Sequence, residues 1–290
     1  MSAIEVLTNI AALHDRLGQA RDRAALVGRD NRIVLVPTMG ALHAGHLALV
    51  RRAHALGDIV VVSIFVNPLQ FGAGEDLERY PRTLDADLAT LSGENVPFVF
   101  APTALEMYPV GASDTRVMAG VVGSLYEGAA RPGHFDGMLT VVAKLLNIVA
   151  PDAALFGQKD GQQVFLVQRM VADLNVRTAI EVVPTVREPS GLALSSRNRY
   201  LDATQNTAAQ ALFAGLSAAA QAAHDGVAAA LSAARARIGT QPLVKLDYLV
   251  IVHPQTFLQV PGDYRGPARM LVAARVGTTR LIDNVTLTIG

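Results

Sequence analysis

The chain has 290 residues, with 25 Lys and Arg balanced by 25 Asp and Glu, so its formal net charge is zero. Without a basic excess, and with no Trp and only 5% aromatic residues, it reads as neither a nucleic-acid binder nor a stacking platform for single strands. A content of 51% hydrophobic and 17% charged residues supplies a large core, which excludes disorder as the default and suggests one large or two moderate domains.

The chain has no cysteine, so disulfides, a thiolate nucleophile, iron–sulfur clusters and Cys-based zinc sites are excluded, and a reducing compartment fits. Residues 1–5 lack the basic region and apolar core of an export signal, and no stretch reaches the roughly 18 unbroken apolar residues of a membrane span. The expectation is a cytoplasmic protein with no membrane or nucleic-acid partner.

In chain order, the β-branched runs 33–36 and 59–66 predict strands buried on both faces, and the spacing of Leu47, Val50 and Ala53 predicts a helix over 46–56 between them. The alternation continues with a helix at 85–92, a strand at 97–100, a helix at 138–149, a strand at 153–156, a helix at 162–174 and a strand at 180–183. Such repeats favour an α/β fold with a doubly wound parallel sheet. Glu188-Pro189-Ser190-Gly191 is a turn signal, so the predicted domains are 1–187 and 188–290. The Ala-rich stretch 204–238 reads as a surface helical hairpin broken at Asp225-Gly226, and 244–252 with 270–289 as a small sheet.

The segment from Val36 to His46 lies where the first predicted strand gives way to a helix, the crevice that open α/β sheets use for ligands. Backbone N–H groups at a helix start attract phosphate. Gly40 and Gly45 permit close backbone approach, and the imidazoles of His43 and His46 can stabilise charge on a leaving group. Either histidine alone also fits an ordinary helix start. The pair also fits half a metal site, with His54 or His134 as the nearest third ligand.

Together with Ser63 to Gly72, Tyr80 to Arg82, Arg131 to Phe135, Phe156 to Asp160 with Gln162 and Gln163, Val183 to Glu188, Leu194 to Leu201 and Leu271 to Asn284, this segment closely resembles the pantoate–β-alanine ligase family over nearly the whole chain. The resemblance implies a Rossmann-like sheet of nucleotidyltransferase type with a smaller α+β C-terminal lid domain. It also implies ligation through an acyl adenylate: pantoate and ATP give pantoyl adenylate and pyrophosphate, then β-alanine displaces AMP. ATP enters as co-substrate with Mg²⁺, no metal ligand is assigned in the chain, and a homodimer is implied.

By the same resemblance Met39, Gly40, Ala41, Leu42, His43, Ala44, Gly45 and His46 bind ATP, with His46 donating a proton to pyrophosphate and His43 beside it. Gly157 gives close backbone approach, Lys159 places a cation against the phosphates, Gln158 and Asp160 belong to the same ATP site with Asp160 positioning Lys159 or the ribose, Val186 and Leu194 complete the nucleotide site, and Ser195, Ser196 and Arg197 close over the triphosphate. The catalytic set is thus His43, His46, Lys159, Ser195, Ser196 and Arg197, and Gln70 and Gln163 hold pantoate, Gln70 also contacting β-alanine. Asp160 equally fits a helix cap. Asp85 and Asp87 read as a solvated helix start, with water-mediated Mg²⁺ contact as the alternative, and Arg131 and His134 have open roles. The chain departs from the family pattern at Ala44, Gln158, Gly161 and Leu194, none of which removes a residue given a chemical role. An acceptor carrying a phosphate ester would call for more Arg or Lys around Gln70 and Gln163; a nucleotide-binding regulatory module is the non-enzyme alternative.

Overall fold

The computed structural model describes residues 4–72, 77–78, 80–111 and 113–290; residues 1–3, read above for an export signal, lie outside them. The chain divides into two compact units, Met1–Gly157 with Gln163–Val183 and Gln158–Gln162 with Pro184–Gly290. This division differs from one at 187/188 in starting the second unit at Pro184 and giving it the short loop after Gly157.

The first unit begins with β1 (Glu5–Leu7), α1 (Ile10–Leu26), β2 (Ile33–Thr38), α2 (Ala44–His54), β3 (Ile59–Ile64), α3 (Leu84–Ser92) and β4 (Phe98–Phe100). The one-turn helices α4 (Ala104–Met107) and α5 (Glu127–Ala130), then α6 (His134–Val149), β5 (Ala153–Gly157), α7 (Gly161–Asp173) and β6 (Ala179–Val183) follow. The strands form one parallel sheet in the order β1-β4-β3-β2-β5-β6. From β2 the chain winds outward through β3 and β4, then returns to lay β5 on the other side of β2. The reversal makes the β2/β5 boundary the topological switch point, outside whose carboxyl ends such sheets bind ligands.

Side-chain alternation along each strand builds two cores. Ile33, Leu35, Ile59, Val61, Phe98 and Phe100 face one layer with α1, α6 and α7, while Val34, Val36, Val60, Val62 and Val99 face the other with α2 and α3. Burial on both faces is why these strands read as unbroken apolar runs. The opening β1 and α1 were not expected. α1 buries only Leu13, Leu17 and Ala24, too thin a stripe to stand out among its charges, and Asn9 caps it by accepting from Ala12 N at 2.8 Å.

The second unit contains α8 (Ala203–Ala222), α9 (Val227–Ile238) and an antiparallel sheet β7-β8-β9, from β7 (Val244–Val252), β8 (Gly266–Val276) and β9 (Thr279–Ile289). Here the surface-hairpin reading is corrected. Ala208, Ala209, Leu212, Leu216, Ala219, Ala230, Ala234 and Ile238 are buried in one core with the sheet. The helices approach so closely that a Cβ on Gly215 would stand 2.5 Å from Ile238 Cγ1, which is the packing reason for the alanine richness. The turn signal at Glu188–Gly191 is a tight hairpin inside this unit: Glu188 N donates to Leu192 O at 2.8 Å and Arg187 pairs with Ala193.

Candidate active site

In the first unit the loop between β2 and α2 is shaped by backbone geometry and by one buried acid. Gly40 and Ala41 both take positive φ, 85° and 51°, which turns the chain sharply after Met39. Asp87, at 3% exposure, accepts from Ala41 N at 3.1 Å and Leu42 N at 2.7 Å, and Thr83 Oγ1 donates to it at 3.2 Å. A Cβ on Gly40 would lie 2.9 Å from Asp87 Oδ2, so glycine is what lets the acid reach the loop. This corrects the solvated reading of Asp87, whose two oxygens hold the loop from inside α3.

At the start of α2, His43 Nδ1 accepts from Gly45 N at 3.1 Å and His46 Nδ1 accepts from His43 N at 3.2 Å, a reciprocal capping box made by two imidazoles. The rings lie 4.1 Å apart, centroid to centroid. With both Nδ1 atoms accepting, the hydrogen-bond network assigns the proton of each neutral ring to Nε2. Met39, Gly40, Ala41, Leu42, His43, Ala44, Gly45 and His46 are thereby ordered around the positive end of a helix dipole. The first turn contains no acidic residue, and Ala44 is exposed, so the acid absent there takes nothing from the interior. The metal alternative finds no third ligand in this placement. His54 lies at the far end of α2 with its ring on Glu94 O at 2.8 Å, and His134 bonds Gln70 O at 2.8 Å. Among the described residues no group of three or more His, Cys, Asp or Glu is arranged to hold a metal.

Gln70 sits just after β3, buried at 7% exposure, with its amide already oriented: Nε2 donates to Met39 Sδ at 2.8 Å and Oε1 accepts from Asn67 Nδ2 at 3.2 Å. Asn67 in turn donates to Gly137 O at 3.1 Å and accepts from the Tyr108 hydroxyl at 2.8 Å. Burial pushes the Tyr108 phenol up to about 12, so it remains a donor across the ordinary pH range. Arg131 and His134, left open above, support the Gln70 backbone: its carbonyl accepts from Arg131 Nη2 at 3.3 Å and from His134 Nδ1. α6 comes close enough for this only at a glycine, since a Cβ on Gly137 would meet Leu69 O at 1.9 Å. Gln163, half-buried, is the first residue of α7 that counts with this unit.

The second unit gathers the other predicted residues. Gln158, Lys159 and Asp160 form a single 3₁₀ turn after Gly157, with Lys159 Nζ 3.4 Å from Asp160 Oδ1, so Asp160 is placed to orient the ammonium. Gln158 O and Lys159 O both accept from Asn284 Nδ2 at 2.9 Å. Val186 O accepts from Leu194 N at 3.0 Å, closing the hairpin that leads to Ser195, whose Oγ accepts from Arg197 N at 3.3 Å and caps the turn Ser196–Tyr200. Arg187 anchors this hairpin with bonds of 2.5 and 2.9 Å to Asp283 and lies 4.1 Å from the Phe213 ring centroid. Ser195, Ser196 and Arg197 are half-buried.

The supporting roles of Asp87, Tyr108, Asp283 and Asn284 have no signal in the sequence because each acts on a loop distant along the chain. Asn67 did carry a local signal, the Asn-Pro turn inside the 63–72 segment.

The pantoate–β-alanine ligase family model matches residues 5–286. A pantothenate synthetase of Leifsonia xyli is 62% identical over 98% of this chain and 100% of its own length, and one of Nocardia farcinica is 57% identical over 92% and 82%. The crystal structure of the Thermus thermophilus pantothenate synthetase superposes with a TM-score of 0.89 at 46% identity, covering 97% of this chain and 99% of that one. That of the Francisella tularensis pantoate–β-alanine ligase, complexed with beta-gamma ATP and β-alanine, gives 0.78 at 35% identity, covering 98% and 97%.

Proposed function

The chain belongs to the pantoate–β-alanine ligase family, enzymes that form an amide bond, and on that premise we propose how its own residues divide the chemistry. A pantoate carboxylate oxygen attacks the α-phosphorus of ATP. The new O–P bond forms as the bond to the β-phosphate oxygen breaks, giving pantoyl adenylate and pyrophosphate. The free amine of β-alanine then attacks the acyl carbon, the C–O bond to AMP breaks, and the amine proton passes to solvent. Adenylation is needed because a carboxylate oxygen is a poor leaving group and AMP a good one.

In this reading Met39 to Leu42, Ala44 and Gly45 wrap the phosphates and ribose, and the Nε2–H of His46, a neutral ring whose Nδ1 is occupied as an acceptor, hydrogen-bonds departing pyrophosphate and offsets its charge, with His43 beside it. Gly157 and Gln158 line the phosphates, Lys159 supplies a cation oriented by Asp160, and Ser195, Ser196 and Arg197 supply hydroxyl and guanidinium donors. Val186 and Leu194 line the adenine side. Gln70 and Gln163 take the pantoate carboxylate and hydroxyls, as neutral amides that both donate and accept, and Gln70 also contacts β-alanine. Mg²⁺ enters on ATP as part of that substrate. Asp87 is not assigned to it, since its oxygens already accept from Ala41, Leu42 and Thr83.

The observation that carries this reading is the reciprocal histidine cap, which presents two Nε2–H donors at a helix N-terminus beside the sheet's switch point. Purified protein should release AMP and pyrophosphate at steady state only with pantoate, β-alanine and Mg·ATP all present, and His46→Ala should lower turnover far more than ATP binding. Unchanged turnover would remove His46 from the mechanism. A homodimer is proposed on the exposed apolar side chains Leu105, Val110, Met118 and Val121, and sedimentation equilibrium tests it. The cysteine-free composition supports a cytoplasmic location.

A further inference from the structure

β9 carries two adjacent polar side chains, both 5% exposed, that reach separate loops of the second unit. Asp283 holds Arg187 and with it the hairpin that ends at Ser195. Asn284 uses both ends of its amide: Nδ2 donates to the carbonyls of Gln158 and Lys159, each at 2.9 Å, and Oδ1 accepts from Arg269 Nη1 at 2.6 Å. Two carbonyl acceptors on one nitrogen, beside an oxygen that accepts from Arg269, require a primary amide: an acid offers no such donors, a Lys or Arg no such acceptor, and an apolar residue leaves both carbonyls without this partner. The Arg269 cation polarises the amide and strengthens its N–H donors. Gly161 leaves room for this contact, because a Cβ there would stand 3.2 Å from Asn284 Nδ2.

We propose that Asn284 is a positioning residue for the nucleotide chemistry: by fixing the Gln158–Lys159 backbone it fixes where the Lys159 ammonium meets the phosphates, while Asp283 references the Ser195–Arg197 loop to the same strand. The proposal rests on the reading of Lys159 as a phosphate contact. It assigns a task to the 271–284 segment, whose family resemblance carries no chemical group of its own in the reaction.

The test is a double-mutant cycle in the full-length enzyme, read by pantoate-dependent ATP–pyrophosphate exchange, with thermal unfolding of each variant alongside. Asn284→Ala should slow exchange about tenfold, Lys159→Met should slow it further, and the double variant should be no slower than Lys159→Met alone, because Asn284 acts through Lys159. Asn284→Asp keeps an oxygen for Arg269 and loses both N–H donors, so it should slow exchange as much as Asn284→Ala, and it carries the test if the alanine variant does not fold. Exchange within twofold of the parent for a folded Asn284 variant, or losses that multiply in the double variant, overturns the proposal and leaves the reading of Lys159 intact. Parental exchange in Lys159→Met overturns that reading and the proposal together.

Discussion

His43 and His46 cap one helix from opposite directions, each ring accepting a backbone N–H through Nδ1, at 3.1 and 3.2 Å. The same two bonds that start α2 therefore set which nitrogen of each ring is the donor, so fold and chemistry are coupled through the tautomer. The coupling is separable by substitution. An Asn side-chain oxygen can take the place of Nδ1, so His46→Asn should keep the cap and lose the Nε2 donor. Turnover should fall about 10²- to 10³-fold in both His46→Asn and His46→Ala, whereas only the alanine variant should lose about 1 kcal/mol of stability. Equal stability losses in urea unfolding would contradict the capping role.

This coupling also marks how far the sequence could be read. The strand–loop–helix around His43 and His46 was legible because everything that forms it lies within about a dozen consecutive residues, and the buried parallel strands because they are apolar on both faces. Asp87, 46 positions beyond Ala41, and Asn284, 125 beyond Lys159, left no local signal, since their meaning arises only when the chain brings them to those loops. α1 escaped notice because three buried residues suffice to dock it, and the Ala-rich hairpin was misjudged because close helix packing needs small residues where a core normally shows large ones.

Asp87 should therefore behave as part of the loop it holds. Asp87→Ala removes the acceptor of two backbone N–H groups and should cost about 3 kcal/mol, with ATP affinity falling as the loop at Gly40 and Ala41 relaxes. Asp87→Asn retains one good acceptor and should fall between the parent and the alanine variant in both measurements. ATP titration calorimetry and chemical denaturation of the three proteins check the order.

Arg187 and Asp283 form a buried pair with 19% and 3% of their side chains exposed, so breaking it by Asp283→Ala should cost about 3–5 kcal/mol, mostly through the charge left behind on Arg187. Arg187→Lys keeps the charge but cannot form both bonds or place a guanidinium over the Phe213 ring, and should destabilise by a smaller amount. Hydrogen exchange should localise the loosening to the Val186–Leu194 hairpin in the lysine variant; uniform exchange across the unit would argue against a local anchor.

Tyr108 predicts an alkaline signature. Its phenol is raised by burial from 10.0 to about 12, so between those pH values the unfolded chain releases a proton that the native chain keeps. A raised folded pKa gives stability that is whole below the unfolded value and is lost as pH rises through the folded one. The parent should lose stability between pH 10 and about 12 more steeply than Tyr108→Phe, whose own cost, from the lost bond to Asn67, is independent of pH. Urea midpoints at pH 9 and pH 11 for both proteins give the comparison, with the other tyrosines cancelling.

Gly137 tests whether the Asn67–Gln70 turn is built by α6. The atoms a Cβ would meet are Leu69 O at 1.9 Å, Leu69 C at 2.3 Å and Gln70 N at 2.8 Å, all backbone, so no rotamer change relieves the clash. Gly137→Ala should cost at least about 2 kcal/mol although alanine is the better helix former, and by displacing Asn67 and Gln70 it should raise KM for pantoate more than KM for ATP. At Gly18 of α1 an added methyl would have nothing within 4 Å, so Gly18→Ala should instead stabilise by about 0.5–1 kcal/mol and leave both constants alone. Opposite signs for the same substitution in two helices would show that contact with the turn, rather than helix propensity, sets the residue at 137.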